Sequence, residues 1–343
     1  MKKQIFGLLA LLFIAILVIS CACPSTQSPT PPPTESPPSS STTTEKPPQQ
    51  AAPLQEELPT FPITLTDDLG REVTIEKLPQ RIVSLAPSNT EMLFALGLGD
   101  KIVGTTDYCD YPEAAKSKTR VSGYSTPDLE KLVSVEPDFI VAESIQEKTV
   151  LPALEKLGIP VFVTSATSID IILKDIEALG KINGKSKAAE KLIAKMTQRI
   201  EAITSRTTSL TQDDRPQVLY VIWFNPIWTM GSNTFTDDLI TQSGGINIFS
   251  ADFEKSRVVS LEAVVNKNPQ VIIVSAMATS AEMIFNSIKK ETRLVTVDAI
   301  ENNRIYKISD SNIIERPGPR IIEGLEEMAK LIHPELFGSR ETN

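Results

Sequence analysis

Histidine and cysteine are nearly absent from this chain of 343 residues, which has one histidine and three cysteines. A structural or catalytic zinc site built from Cys and His needs several of these side chains at close spacing, so no such site can be assembled. A Ser-His-Asp or Cys-His catalytic arrangement would have to use His333, which lies beside Pro334 near the C-terminus and which we expect at the surface. The scarcity of these residues predicts a protein that is not an enzyme and has no metal site built from Cys and His.

Other hydrolase signatures are missing as well. The sequence has no Gly-x-Ser-x-Gly motif, which would mark the nucleophile of an α/β-hydrolase. A glycosidase that uses only carboxylates is compatible with the 43 acidic residues, but no paired-carboxylate motif stands out. Basic residues are also in the minority, with 34 Lys and Arg and a net charge of −9. We therefore expect no nucleic-acid partner, because non-specific nucleic-acid binding needs a basic surface.

The N-terminus has the pattern of an export signal. Two lysines precede an apolar run from Ile5 to Ile19, which is shorter than the roughly 20 residues of a membrane span and typical of a signal peptide. Leu17-Val18-Ile19-Ser20-Cys21 is similar to a bacterial lipoprotein cleavage site, with a small residue before the cysteine. We predict that residues 1–20 are a signal peptide and that Cys21 is lipidated. Cys23 is a weaker alternative, and a simple secretory signal or an uncleaved anchor stays open.

Residues 21–60 are rich in Pro, Ser and Thr and poor in apolar residues. Such a segment cannot bury enough surface to fold, and its prolines favour a semi-extended tether. The predicted location is extracytoplasmic, with lipid attachment to the cell membrane in the periplasm or on the outer face. Because the globular remainder has one cysteine, Cys109, it cannot form an internal disulfide.

From residue 61 onward, strand-like runs alternate with short helical segments, which predicts βα units and largely parallel sheets. The run 188–203 has apolar residues three and four positions apart and is the longest helix candidate. The predicted fold class is α/β, with two Rossmann-like lobes bridged by a long helix. We expect the N-terminal lobe at 61–166, a helical linker at 167–210 and the C-terminal lobe at 211–343.

An internal repeat supports two similar halves. Leu129 to Val141 matches Leu261 to Ile273 at a constant offset of 261 − 129 = 132 residues, and Leu, Glu, Val, Pro and Ile coincide. The shared glutamates, Glu130 and Glu262, stand at the start of a predicted helix, where the helix dipole favours a negative charge.

A ligand site is expected between the two halves, because ligands of open parallel sheets lie beyond the carboxyl ends of the strands and clefts between domains are preferred binding sites. Polar and aromatic residues cluster in the loops that follow the predicted strands. Both tryptophans of the chain fall in one of these loops. The candidate ligand-binding residues are Ser88, Asn89, Tyr108, Tyr124, Trp223, Phe224, Trp228, Phe253, Arg257, Asp310, Asn312 and Arg316.

Several short stretches are characteristic of one known protein family. They are Arg81 to Glu91, Asp110-Tyr111-Pro112, Leu129-Glu130 with Pro137-Asp138, and Glu315-Arg316 with Pro319-Arg320. Over about residues 63–338 the chain resembles the helical-backbone periplasmic binding proteins, which deliver vitamin B12, ferric siderophores and haem to ABC importers. The likeness is greatest to the members that bind vitamin B12. The resemblance implies two rigid lobes with small opening motions.

The resemblance also implies roles for individual residues. Glu130 and Glu262 match glutamates that dock into arginine pockets of the two permease subunits. Tyr108 matches an aromatic residue that packs on the corrin ring, and Tyr124 stands where a tryptophan is found. Near Arg257 the vitamin B12-binding members have another tryptophan, which this sequence lacks. Arg257 could pair with a carboxylate instead.

The resemblance finally implies partners: an ABC importer permease dimer with its ATPase subunits, and a monomeric binding protein that needs no cofactor of its own. The transported ligand is then cobalamin or a related corrinoid, with haem or a ferric siderophore as alternatives. Ligation of haem or iron through Tyr108 or Tyr124 is compatible with the sequence, although it offers no second ligand. A scavenging surface protein that acts without an importer is a further alternative.

Overall fold

The computed structural model describes residues 59–121, 123–275 and 280–338. The predicted signal peptide, lipidated Cys21 and the tether up to residue 58 lie outside these residues. None of the helices described is both long enough and apolar enough to span a membrane.

The first lobe begins with an antiparallel hairpin, β1 (Ile63–Thr66) and β2 (Glu72–Ile75). Its main sheet is parallel and has the strand order β4-β3-β5-β6. The elements of this lobe are β3 (Ile82–Ser84), α1 (Pro87–Ala95), β4 (Ile102–Thr105), α2 (Leu129–Ser134), β5 (Phe139–Glu143), α3 (Leu151–Lys156) and β6 (Val161–Thr164).

Two helices lead from the first lobe to the second. They are α4 (Ile169–Ile182) and α5 (Ser186–Thr207), and α5 is the longest helix of the described residues. The buried residues Ala189, Met196 and Ile203 of α5 recur every seven positions, so they form one stripe along the helix. The predicted long helix is thus confirmed.

The second lobe repeats the topology of the first. Its parallel sheet has the order β9-β7-β11-β12. In both parallel sheets the strand that comes second along the chain lies at one edge, next to the first strand, and the two later strands follow on the other side of the first. The elements are β7 (Gln217–Val221), β8 (Ile227–Met230), α6 (Phe235–Gln242), β9 (Ile246–Asn247), β10 (Ser256–Val259), α7 (Leu261–Lys267), β11 (Val271–Val274), α8 (Ser280–Lys290), α9 (Asp298–Glu301), β12 (Ile305–Lys307), α10 (Asn312–Glu315), α11 (Ile321–Ile332) and α12 (Pro334–Phe337).

Both parallel sheets are buried on both faces. Alternate residues of β5, such as Phe139 and Val141, face a core shared with α4, α5 and α11, while Ile140 faces a core on the other side of the sheet. In β11, Val271 and Ile273 belong to the shared core, and the residues between them face a separate core. The shared core therefore runs through both lobes and ties them to the connecting helices, as the α/β prediction requires.

The structure corrects the expected surface position of His333 and the helix start that a local sequence motif would predict. The Ser88-x-x-Glu91 spacing predicts a capping box, but α1 begins at Pro87 and no side chain caps it. The fixed φ of proline suits the first helical position, which moves the start of the helix two residues earlier. His333 is buried rather than exposed: its ring lies 3.1 Å from the Gly244 carbonyl oxygen and 2.6 Å from the Glu335 carboxylate.

Candidate functional site

The carboxyl edges of the two parallel sheets carry the exposed aromatic side chains. Single exposed apolar side chains are common at protein surfaces, but a group of large ones marks a surface with a function. Tyr108 is 59% exposed and follows β4, and Trp223 is 42% exposed and follows β7. Trp228, 39% exposed, and Tyr111, 46% exposed, lie close to them along the chain.

The two tryptophans are placed by a tight turn. Trp223 and Trp228 are directly opposite each other in an antiparallel bridge, and the Trp228 N–H donates to the Trp223 carbonyl oxygen at 2.9 Å. Asn225 closes the turn with φ +67°, a left-handed conformation that asparagine tolerates. Side chains directly opposite in an antiparallel pair lie on the same face, so both exposed indoles are presented on one side of this turn.

Strand β10, which pairs with the Trp228 strand β8, carries a positive charge. Strand β10 pairs antiparallel with β8, and Arg257 is opposite Thr229. The Arg257 guanidinium lies 5.1 Å from the centre of the Phe253 ring, while that ring stacks on Phe249. Phe253 and Phe224 pack half-buried against the core of the second lobe, so they support the surface more than they form it.

In the first lobe, Tyr108 and Tyr124 have different environments. Tyr108 is exposed, and Tyr124 is half-buried with its hydroxyl donating to Glu143 at 2.9 Å. Burial and the nearby Glu143 carboxylate raise the pKa of Tyr124 above its ordinary value. In the described structure the Tyr124 hydroxyl is therefore protonated and engaged with Glu143.

Ser88 and Asn89 do not contribute to the exposed surface. The Asn89 side chain is fully buried, donates to the Ala142 carbonyl oxygen and accepts from the Thr164 hydroxyl. Ser88 is 5% exposed, and Gly318 of the second lobe packs against its backbone. Asn89 thus ties α1 to β5 and β6, and Ser88 lies at the contact between the lobes.

The polar residues of the second lobe are largely engaged with one another. The Asp310 carboxylate accepts from the Asn312 backbone and side chain at 3.0 and 2.8 Å. Arg316 contacts two carboxylates of the first lobe, those of Asp110 at 2.5 Å and Glu91 at 3.5 Å. Arg316, a predicted ligand-binding residue, is thus paired with two carboxylates in the ligand-free protein.

Residues outside the predicted set complete this contact between the lobes. Arg320 donates two hydrogen bonds to Glu91, and its guanidinium lies 4.0 Å from the centre of the Tyr111 ring. The motifs that contain these residues stand out in the sequence, but nothing in the spacing of Glu91 and Arg320 shows that they meet. Since Asp110 is two residues from Tyr108, the contact brings the carboxyl edges of the two sheets together.

The two glutamates of the repeat have equivalent positions. Glu130 is the second residue of α2, capped by Asp128, and Glu262 is the second residue of α7, capped by Ser260. Both are exposed. Hydrogen bonds from the Glu262 backbone N–H and from the Ser260 hydroxyl lower the pKa of the Glu262 carboxyl, so this group is charged at neutral pH.

The described residues hold no cluster of three or more His, Cys, Asp or Glu side chains able to bind a metal ion. Cys109 is a free thiol buried in the first lobe.

Comparison with known proteins agrees with this architecture. Residues 82–311 match the family model of a periplasmic binding protein. The chain is 30% identical over 342 residues to an uncharacterized ABC transporter substrate-binding lipoprotein of Bacillus subtilis (strain 168), covering 98% of this chain and 99% of the relative. It is 29% identical over 252 residues to the vitamin B12-binding protein of Vibrio campbellii, covering 73% and 88%.

A solved structure of a protein with a different ligand is also similar to this chain. The periplasmic haem-binding protein RhuT from Roseiflexus sp. RS-1, in its apo form, superposes with a TM-score of 0.65 at 25% identity. The match covers 74% of this chain and 98% of that chain. Proteins similar to this one thus include binders of two different metal-containing macrocycles.

Proposed function

Since the chain belongs to the periplasmic binding protein family and is an ABC transporter substrate-binding protein rather than an enzyme, we propose that it captures cobalamin or a related corrinoid between its lobes. The bound ligand is then delivered to the permease of an importer.

The exposed pair Trp223 and Trp228 is the observation that carries this proposal. With Tyr108 from the other lobe, it offers flat aromatic surfaces to a large, rigid ring system. A corrinoid has broad apolar faces and already encloses its cobalt, so it can be held by packing and peripheral hydrogen bonds. The absence of a metal-binding cluster from the described residues is compatible with this mode of binding.

Haem or a ferric siderophore is the second candidate, and one residue favours it. Arg257 is exposed, and its described contact is with an aromatic ring. Its guanidinium can therefore donate hydrogen bonds to a ligand carboxylate such as a haem propionate. Haem would also need an axial ligand, for which Tyr108 is the exposed candidate among the predicted residues. The corrinoid needs no such ligand, which is why it is preferred.

Delivery is proposed to use Glu130 and Glu262. Their equivalent positions at the starts of α2 and α7 give the protein one exposed carboxylate on each lobe. A pseudo-twofold protein of this kind is suited to a permease dimer whose two subunits offer matching arginine pockets. Exposed charges at such an interface act mainly on orientation and association rate.

Lipid attachment at Cys21 is proposed to keep the protein at the membrane. The apolar run before Cys21 and the lipoprotein relative in Bacillus subtilis support this. We further propose that the protein is a monomer on a tether formed by residues 21–60.

The proposal is tested by the absorption spectrum of the purified protein. The protein is incubated separately with cyanocobalamin, haemin and a ferric hydroxamate siderophore, and each sample is then desalted. Corrin bands that remain with the protein fraction support the proposal. Retention of haemin alone assigns the protein to the second candidate and overturns the first.

A further inference from the structure

The loop between β4 and α2 is attached to both lobes. Within the first lobe, the Arg120 guanidinium donates to the carbonyl oxygens of Thr106 and Cys109 at 2.6 and 2.9 Å. Cys109 is fully buried and thus anchors the loop in the core. The neighbours of Cys109 on either side, Tyr108 and Asp110, point away from this anchor and are exposed.

The same loop is held from the second lobe by two arginines. Arg316 contacts the Asp110 carboxylate at 2.5 Å, and Arg320 lies against the Tyr111 ring at 4.0 Å. Both arginines flank the turn Pro317-Gly318-Pro319, whose prolines limit its conformations. A Cβ at Gly318 would lie 3.3 Å from the Ser88 carbonyl oxygen, so this turn packs closely on the first lobe.

The ion pairs of this contact differ in burial. Glu91 is 2% exposed and Arg320 13% exposed by their side chains, and their two hydrogen bonds form the buried part. Asp110 is 49% exposed, although its partner Arg316 is only 14% exposed. Water can therefore reach the Asp110–Arg316 pair much more easily than the Glu91–Arg320 pair.

We propose that the Asp110–Arg316 ion pair is a clamp between the lobes that holds the Tyr108 loop in position for ligand capture. Asp110 is then a positioning residue, which acts through the loop and touches no ligand. Glu91 and Arg320 form the more buried contact, which keeps the two lobes joined. The clamp itself follows from the geometry of the protein, while its effect on a corrinoid rests on the proposed function.

The pKa of Asp110 agrees with this role. Partial burial raises it, but the hydrogen bond and charge of Arg316, with smaller contributions from the backbone and Arg320, lower it below the ordinary value overall. The carboxylate therefore stays charged throughout the neutral range and keeps the pair intact.

Three variants of the full chain, purified in detergent, test the clamp. Asp110→Asn removes the charge, and Asp110→Glu keeps it on a longer side chain. Glu113→Gln is the matched control, because Glu113 lies in the same segment and pairs only with Lys116 of its own lobe among the described contacts.

The first readout is hydrogen exchange of the ligand-free protein. The Cys109 and Gly318 amides, which donate to the Thr106 and Arg316 carbonyl oxygens, report on the two sides of the clamp. In Asp110→Asn both segments should exchange about fivefold faster, while Asp110→Glu and Glu113→Gln stay near the parent protein. Unchanged exchange in Asp110→Asn, or an equal increase in Glu113→Gln, would overturn the clamp.

The second readout is the dissociation rate of cyanocobalamin, alongside the midpoint of urea unfolding. Asp110→Asn should release cyanocobalamin about tenfold faster with an unchanged unfolding midpoint, and Asp110→Glu should restore most of the difference. Faster exchange with an unchanged dissociation rate would contradict the positioning role. If the parent protein binds no cyanocobalamin, the proposed ligand fails, and hydrogen exchange still decides on the clamp.

Discussion

Glu91 in α1 and Arg320 before α11 are 229 residues apart in the chain and are joined by two hydrogen bonds, of 2.9 and 2.7 Å. The pair connects the first lobe to the second at the level of the predicted ligand site. Its side chains are almost completely buried, so the charge of Glu91 is compensated by Arg320 and Arg316 rather than by water. The charge of Arg320 is compensated by Glu91 and by Asp310 at 3.4 Å.

Glu91→Gln should destabilise the protein. The change leaves Arg320 with the more exposed Asp310 carboxylate, at 3.4 Å, as its remaining partner, so the cost should approach that of a broken buried ion pair, about 3–5 kcal/mol. Urea unfolding at neutral pH measures the loss. As a comparison, Glu326→Gln breaks the more exposed pair with Arg199 and should cost under about 1 kcal/mol. Equal losses in the two variants would show that the buried pair has no special role.

Asp175→Asn should stabilise the protein at neutral pH. Asp175 in α4 is 2% exposed, and one of its carboxylate oxygens has no hydrogen-bond partner. Burial, with smaller contributions from Asp68 and Asp67, raises its pKa to about 8. Because the folded pKa lies above the unfolded value, the charged form opposes folding, and the loss of stability grows as the pH rises from about 4 to 8.

The Asp175→Asn variant removes this pH dependence. Its free energy of unfolding should exceed that of the parent protein by about 1–4 kcal/mol at pH 7, and the difference should close near pH 4. Asp170→Asn, an exposed position on the same helix, is the control and should change stability by under about 0.5 kcal/mol. A constant difference between the Asp175 variant and the parent at all pH values would contradict the assigned pKa.

Trp223→Ala and Trp228→Ala should each weaken binding of cyanocobalamin about tenfold or more, with little loss of stability. Both side chains are exposed in the free protein, so their removal leaves no cavity in the core. Aromatic residues at the centre of an interface contribute about 1–3 kcal/mol or more to binding. Equilibrium titration followed by absorbance measures the change, and Met283→Ala, an exposed apolar position on α8, is the control.

The double variant Glu130→Ala, Glu262→Ala should abolish uptake of cyanocobalamin by cells while ligand binding by the purified protein is unchanged. The two carboxylates lie on different lobes and are proposed to meet the two permease subunits. Glu190→Ala, Glu201→Ala makes the same change of charge on α5 and should leave uptake intact. Normal uptake in the first variant would favour a scavenging protein that works without an importer.

The repeated secondary structure could be predicted from the sequence because apolar periodicity is a local signal. The repeat of Leu129 to Val141 at 261–273 appears in the structure as α2–β5 and α7–β11, and both sheets have equivalent strand orders. The aromatic residues after β4 and β7 could be identified for the same reason, since they interrupt this pattern just where strands end.

Contacts between distant parts of the chain could not be predicted in this way. The Ser88-x-x-Glu91 spacing predicts a local cap, but Glu91 binds Arg320 instead, because a buried carboxylate gains more from a guanidinium than from a backbone amide at the helix start. Asn89 has the composition of a binding residue, and only the structure shows that Ala142 and Thr164 already satisfy its side chain.

Calorimetric titration of the protein with cyanocobalamin is the most direct test of the central proposal, the capture of a corrinoid by the exposed aromatic surface. The parent protein should bind one cyanocobalamin per chain, and the double variant Trp223→Ala, Trp228→Ala should lose most of this affinity while keeping its unfolding midpoint. Binding of haemin but not cyanocobalamin by the parent protein, or equal cyanocobalamin affinity in the double variant, would contradict the proposal.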